Sequence, residues 1–201
     1  MGLFAVLVIG AYLVGSIPFG LLITKLIGGV DIRRVGSGNI GATNVLRAVG
    51  KGPAALTLVL DFVKGFLPVF LMQRLGGSEI WIAGAGLAAF LGHLYPIFLG
   101  LKGGKGVATA LGALLGIMPL VALLGVGIWL ATALIWRYSS LAALTAAAVI
   151  PFLAWALYGM APYLLFAGVL SILVIYKHHE NIKRLLAGTE SRIGRKLTAD
   201  G

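Results

Sequence analysis

The chain has 201 residues, of which 60% are hydrophobic and 11% charged, and its mean hydropathy is +1.04. Soluble domains carry about a quarter charged residues, so this composition excludes an ordinary soluble enzyme and points to a membrane protein. A net charge of +10 suits anionic partners, and the absence of cysteine excludes disulfides, thiolate metal sites and a cysteine nucleophile.

Apolar segments follow one another at about 3–27, 53–75, 79–99, 106–117, 119–136, 139–158 and 160–176. Runs this long and continuous predict helices, since the strands of a membrane barrel would alternate over ~10 residues. Residues 1–24 hold no Lys or Arg. The first segment is therefore expected to be a membrane helix ending near Lys25, not a cleaved signal. A single helix over 106–136 would be ~46 Å long, too long for a ~30 Å hydrocarbon core without strong tilt. Gly116 and Pro119 predict a break there, giving a short helix and then a full-length one.

Charge sets the topology. Seven crossings with the N-terminus outside put Arg33, Arg34, Arg47, Lys51, Lys102, Lys105, Arg137 and Lys177 on the inner side. The tail residues Lys183, Arg184, Arg192, Arg195 and Lys196 join them, and only Arg74 is left outside. Merging 106–136 into one crossing would carry the basic tail outside, against the same rule. The fold expected is an all-α, polytopic integral membrane protein. It has about seven transmembrane helices with one short or broken pair, its C-terminus is cytoplasmic, and 1–201 forms a single domain. Nucleic acid is not an expected partner, because the basic residues are scattered between apolar spans.

Three polar stretches fall on the cytoplasmic side of this topology. In the first, Gly36-Ser37-Gly38-Asn39-Ile40-Gly41 spells G-x-G-x-x-G. A dinucleotide fingerprint needs a preceding strand, whereas the flanks here are membrane helices. The physical content survives: the glycines let backbone N–H groups approach an anion. Ser37, Asn39, Thr43 and Asn44 add short polar groups, and Arg47 adds a planar fork for phosphate. A short helix over 41–48 would point its N-terminus at the same turn. A solvated loop is the plain alternative.

The second stretch joins Gly92-His93-Leu94-Tyr95-Pro96 to Lys102-Gly103-Gly104-Lys105-Gly106. It lacks the Gly at 99 and the Ser or Thr at 106 of an ATP-binding phosphate loop, but a glycine turn opening a helix at Val107 suits a small phosphate ester. His93 is expected to be a helix-end hydrogen bonder before it is a base. The third stretch ends the last span: His178 and Asn181 share a helical face, and Glu180 is spaced to pair with Arg184. His178 and His179 lack carboxylate company at metal spacing, so no metal is expected. Within the span 53–75, Asp61 and Lys64 are spaced to neutralise each other.

With these residues in view, the chain resembles the bacterial acyl-phosphate:glycerol-3-phosphate acyltransferases. The resemblance is carried by Gly15–Gly20, Gly36–Arg47, Asp61–Gly65, Gly92–Pro96, Lys102–Thr109 and His178–Glu190. It implies acyl transfer from acyl phosphate to the 1-hydroxyl of glycerol 3-phosphate, giving lysophosphatidic acid and inorganic phosphate at the bacterial inner membrane. It implies catalytic roles for Ser37 and Arg47, and for His178 and Asn181. Glycerol 3-phosphate would be bound around Gly103, Gly104, Lys105 and Gly106, and Glu190 would be structural. Leu101, Lys177 and His179 depart from the family's usual residues, so His179 inherits no role.

Combining both readings, Ser37, Arg47, Lys105, His178 and Asn181 are the expected catalytic set. Gly36, Ser37, Gly38, Asn39, Gly41, Thr43 and Asn44 are expected to hold acyl phosphate. Arg47, Lys102, Gly103, Gly104, Lys105, Gly106 and His178 are expected to hold glycerol 3-phosphate, with Asp61, Lys64, Glu180 and Glu190 structural. No cofactor is expected. Membrane lipid and the enzyme that forms acyl phosphate are the other expected partners. A His-x4-Asp acyltransferase pattern is absent. An acyl phosphate is already an activated anhydride, so positioning and charge stabilisation can carry much of the catalysis. The rival reading is a secondary transporter of a phosphorylated anion, suggested by broken helices and the charges at Asp61 and Lys64.

Overall fold

In a computed structural model of the chain, residues 1–159 and 161–194 are described. Arg195 and Lys196, counted above in the basic tail, lie outside the described residues. The described residues form helices and connecting turns, with no strand among them.

The first apolar run is divided. Pro18 has no N–H to continue the helical ladder. α1 (Gly2–Gly15) therefore stops, and α2 (Phe19–Gly28) begins after a bend, where a single helix over 3–27 was expected. The break leaves the Ile17 carbonyl accessible, and Lys64 Nζ donates to it at 2.9 Å. After the polar connection come α3 (Ala42–Ala48), α4 (Lys51–Arg74) and α5 (Glu79–Leu94). Then follow α6 (Val107–Ile117), α7 (Pro119–Trp136), α8 (Ser139–Leu157), α9 (Ala161–Lys177) and α10 (His179–Leu186). The expected break falls at Met118, with Pro119 opening α7, where a missing N–H costs nothing.

Five segments are long and apolar enough to cross a bilayer: Gly2–Gly28, Lys51–Arg74, Glu79–Leu99, Pro119–Trp136 and Ser139–Leu157. Ala161–Lys177 qualifies when joined to His179–Leu186 across a 56° bend. At 11 residues α6 is ~16 Å long, about half a hydrocarbon core. It can be this short because protein surrounds it. Gly65 and Gly112 let α4 and α6 touch backbone to backbone; a Cβ on either would collide with the carbonyl of Thr109 or Phe62. A core of Val69, Phe90, Leu94, Ala113, Leu114 and Leu170 fills the space between α4, α5, α6 and α9.

Candidate active site

The connection from Asp31 to Gly50 is held in shape by Asn44. Its side chain is 1% exposed and faces inward. Nδ2 shares its two protons among the carbonyls of Ile32, Val35 and Asn39 at 3.2, 2.9 and 2.9 Å, and Oδ1 accepts from the Ser37 N–H at 3.1 Å. Its hydrogen bonds are spent inside the loop, so Asn44 shapes the cradle, and it lines the cavity described below. Gly36 and Gly38 adopt φ of +58° and +68°, which side chains avoid, and the turn they make leaves Ser37 exposed. Arg33 is drawn away by Asp31 at 2.6 Å, whereas Arg34 faces the site.

The second connection is seated on the end of α5. Gly104 N–H donates to the His93 carbonyl at 3.1 Å and Gly103 N–H to that of Leu94 at 3.2 Å. A Cβ at Gly104 would strike the His93 ring, and one at Gly106 would strike Phe90 and Leu94. These glycines serve close packing, and the N–H groups of Gly103 and Gly104 are committed to α5, not turned toward a phosphate as the cradle reading expected. Lys102 is exposed and does not face the cavity. The loop's contribution to the site is the Lys105 ammonium, which donates to Asn181 Oδ1. Lys177 Nζ caps the same helix end, donating to the Leu94 carbonyl at 3.1 Å and lying over the Tyr95 ring.

Beneath this loop, Asp61 and Lys64 pair at 2.7 Å, both nearly inaccessible, as their spacing predicts. His93 Nδ1 lies 3.6 Å from the same carboxylate oxygen. Gly104 of the Lys105 loop packs on the His93 ring, and Asp61 and His93 line the cavity described below, whereas Lys64 does not.

The third stretch folds back on itself. His178 and Asn181 are 3% and 5% exposed and line the same cavity, although the helix breaks at His178, which caps α10 instead of sharing a continuous helical face with Asn181. His178 Nδ1 is 2.7 Å from the Val174 carbonyl, so it carries the proton and leaves Nε2 as an acceptor. Glu190 accepts from Ser140 Oγ, Asn181 Nδ2 and Arg184 Nε, each at 2.7 Å. By holding the amide nitrogen of Asn181, it turns the amide oxygen toward Lys105. The expected Glu180–Arg184 pair does not form: the turn at Gly188 brings Glu190 back onto Arg184, and this buried carboxylate outcompetes the exposed Glu180. Glu180 instead meets Lys183 at 3.0 Å and His179 at 3.2 Å on the surface, where such pairs contribute little.

Ser37, Arg47, Lys105, His178 and Asn181 line one cavity of about 770 Å³. Gly36, Asn39, Gly41, Thr43, Gly106 and Glu190 also reach it; Gly38, Lys64 and Glu180 do not. Sequence reasoning missed three parts of the wall. Arg34 and Arg184 add two cations, and Ser140 hydrogen-bonds Glu190 from the first turn of α8. Leu58, Leu111, Val126, Trp129 and Leu130 form an apolar side reaching between α4, α6 and α7. Adjacency to the glycine loop was the signal available for Arg34; nothing in the sequence marked the apolar wall.

Electrostatics divide the polar groups. Burial pushes Lys105 down to about 8, with the nearby charges of Arg184 and Arg47 acting in the same direction and Glu190 opposing them. Burial lowers His178 to about 4, with Lys105 adding to it, so the imidazole is neutral near pH 7. Burial would raise Glu190, but hydrogen bonds from Ser140, Asn181 and Arg184 outweigh it and hold the carboxylate ionised. The arrangement is a cationic, partly desolvated chamber beside an apolar slot. Its cations suit phosphate groups and its apolar side suits hydrocarbon. Among the described residues, no group of three His, Asp or Glu is placed to ligate a metal.

Comparison with known proteins agrees with this chemistry. Residues 5–188 match the sequence profile of the glycerol-3-phosphate acyltransferases. The glycerol-3-phosphate acyltransferase of Geotalea daltonii is 53% identical over 186 residues, covering 92% of this chain and 95% of that one. The enzyme of the same name from Mesorhizobium japonicum is 55% identical over 196 residues, covering 97% and 98%. A solved structure of PlsY, an integral membrane glycerol 3-phosphate acyltransferase in its glycerol 3-phosphate form, superposes with a TM-score of 0.91 at 48% identity, over 95% of this chain and 96% of that one. Its lysophosphatidic acid form gives a TM-score of 0.89 at 47% identity. This multi-pass membrane protein belongs to the glycerol-3-phosphate acyltransferase family, and the transporter reading falls away.

Proposed function

We propose that the chain transfers a fatty acyl group from acyl phosphate to the 1-hydroxyl of glycerol 3-phosphate, releasing lysophosphatidic acid and inorganic phosphate. The observation that carries this reading is the single cavity in which Arg34, Arg47, Lys105 and Arg184 stand beside an apolar wall of Leu111, Trp129 and Leu130. The solved relative in glycerol 3-phosphate and lysophosphatidic acid forms supports the acceptor and the product.

In this reading the glycine loop with Ser37 and Arg34 receives the donor's phosphoryl group, and the donor's chain follows the apolar wall. Lys105, Arg47 and Arg184 receive the phosphate of glycerol 3-phosphate. His178 Nε2 accepts a hydrogen bond from the 1-hydroxyl and aims it, but a base of pKa about 4 is too weak to take its proton. The donor's phosphate takes that proton. The hydroxyl oxygen bonds to the acyl carbon, the bond from that carbon to the phosphate oxygen breaks, and protonated phosphate leaves. Lys105 and Arg47 stabilise the developing charge. Ser37 donates to the donor and forms no covalent intermediate, since it lacks a His–Asp arrangement beside it.

In this reading the chain is one transmembrane acyltransferase domain over 1–201 with seven crossings and its N-terminus outside, the orientation favoured by the basic loops, and the cavity mouth faces the cytoplasm at a bacterial inner membrane. The enzyme forming acyl phosphate then has access from the same side. Purified protein given glycerol 3-phosphate should form lysophosphatidic acid with acyl phosphate and not with acyl-CoA. No product with acyl phosphate would refute the reading, and uptake of unmodified glycerol 3-phosphate by sealed vesicles would restore the transporter.

A further inference from the structure

Beyond Glu190 the chain runs along the cavity to the turn between α7 and α8, and the contacts it makes there have no part in the chemistry described above. The Ile193 N–H donates to the Arg137 carbonyl at 2.6 Å, and Arg137 Nη2 donates to the Ile193 carbonyl at 3.1 Å. One residue thus grips both peptide groups of Ile193. Beside it, Arg192 Nε donates to Tyr138 Oη at 3.2 Å, and the Arg192 guanidinium lies 5.5 Å from the centre of the same ring. Arg47 Nη2 lies 3.5 Å from the Ser191 carbonyl. Gly188 and Gly194, at φ of +70° and +85°, bound the segment. It is a strap pinned at the α7–α8 turn, and it lays Glu190 and Ser191 along the cavity.

Arg137 makes this grip from a conformation that side chains disfavour. It caps α7 at φ +61° and ψ +27°, in the left-handed region where glycine is the usual residue. A glycine would end the helix at least as well, so capping does not account for an arginine there. Its side chain is exposed, and among the described residues its hydrogen bond goes to Ile193.

Resting on the acyl-transfer reading, we propose that Arg137 is a positioning residue for glycerol 3-phosphate: it latches the strap, so that Glu190 stays on Asn181 and Arg184. The contacts are continuous. Arg137 holds Ile193 at the end of the strap; Glu190 accepts from Asn181 Nδ2 and Arg184 Nε at 2.7 Å each; and Asn181 Oδ1 accepts from Lys105. In that reading Lys105 and Arg184 receive the acceptor's phosphate. Without the guanidinium the strap is free to turn about its two glycines, and Glu190 exchanges its partners for water. Among the described residues no hydrogen bond joins the strap to Gly36–Asn44, so donor binding does not depend on the latch.

The test uses Arg137→Gly and Arg137→Asn in the full chain. Both residues tolerate the left-handed conformation, so α7 keeps its cap while the guanidinium is lost. Initial rates give kcat and KM for each substrate, trypsin cleavage after Arg192 is followed by mass, and the unfolding midpoint is recorded in detergent. Cleavage after Arg192 should speed up in both variants. kcat/KM for glycerol 3-phosphate should fall roughly tenfold, as for the loss of one charge-assisted hydrogen bond. KM for acyl phosphate and the unfolding midpoint should stay at their wild-type values. Arg137→Lys, which keeps a cation near the same carbonyl, should recover part of the loss. In a Glu190→Gln background the Arg137→Gly effect should shrink, because both changes act on one set of contacts. Unchanged kcat/KM for glycerol 3-phosphate in both variants would overturn the proposal. So would equal losses for the two substrates with a lowered midpoint, or effects that simply add to Glu190→Gln. A wild type inactive with acyl phosphate would refute the acyl-transfer reading and the role of the latch with it, whereas wild-type cleavage rates in active variants would refute the latch alone.

Discussion

The pH dependence of glycerol 3-phosphate capture follows from the burial of one lysine. On the proposed reading Lys105 is charged when it attracts the phosphate, yet burial and the neighbouring Arg184 and Arg47 hold it near 8 in the free protein. Above that pH the charged fraction falls tenfold per unit, so kcat/KM for glycerol 3-phosphate should fall with it. One unit above, about a tenth of the molecules remain competent. A bound dianion stabilises the ammonium, so kcat at saturating glycerol 3-phosphate should hold to higher pH than kcat/KM. Unfolding linked to Lys105 does not mimic the loss. Its folded pKa is depressed, the unfolded chain binds the proton more tightly, and stability rises between about 8 and the ordinary lysine value. The assay is the initial rate of lysophosphatidic acid formation at limiting glycerol 3-phosphate, from about pH 6.5 to 9.5, in wild type and Lys105→Arg. Arginine stays charged throughout, so the alkaline limb should vanish in the variant whatever its absolute rate. A flat wild-type profile, or the same limb in Lys105→Arg, would refute the reasoning.

Three further outcomes are expected. Arg47→Ala should cost ~1.5–3 kcal/mol in kcat/KM from the loss of a charge-assisted contact, and Arg47→Lys should recover only part of it, since an ammonium lacks the planar fork; unchanged kinetics in Arg47→Ala would remove it from the site. Gly104→Ala places a methyl against the His93 ring and should raise KM for glycerol 3-phosphate, whereas Gly168→Ala, on the open side of α9, should change nothing. Asp61→Leu leaves the buried Lys64 without its counter-ion, holding only the Ile17 carbonyl, and should cost ~3–5 kcal/mol, seen as a lower unfolding midpoint in detergent; adding Lys64→Met should restore most of it.

The helices were legible because membrane spans leave a strong signal: long apolar runs interrupted by glycine, proline and basic residues. Five of the seven runs contain a helix within two residues of the expected bounds; the run at 79–99 ends its helix at Leu94, and the first run holds two helices. The break at Pro18 was not legible, since the apolar run continues across it and a lone proline also fits a kinked helix. In the site, His178 and Asn181 line one cavity, but across the break at His178 and not along the continuous helix that their spacing suggested. The partner of Arg184 was misread for the same reason: spacing favours Glu180, while the turn at Gly188 brings Glu190 back. Asn44 and Asn39 look alike as sequence, and only the fold shows that Asn44 points inward. Lys102 and Lys105 are likewise equivalent on paper. Seating Gly103 and Gly104 on α5 sends Lys105 into the cavity and leaves Lys102 exposed. The apolar wall draws on helices far apart in sequence, so no local pattern announces it.

The central claim is that one cavity holds acyl phosphate and glycerol 3-phosphate together and passes the acyl group directly between them. The most direct test is the initial-rate pattern when both substrates are varied with purified protein. Direct transfer predicts a family of intersecting double-reciprocal lines. Parallel lines, with labelled acyl group retained on Ser37 in the absence of glycerol 3-phosphate, would mean a covalent intermediate and would contradict the account.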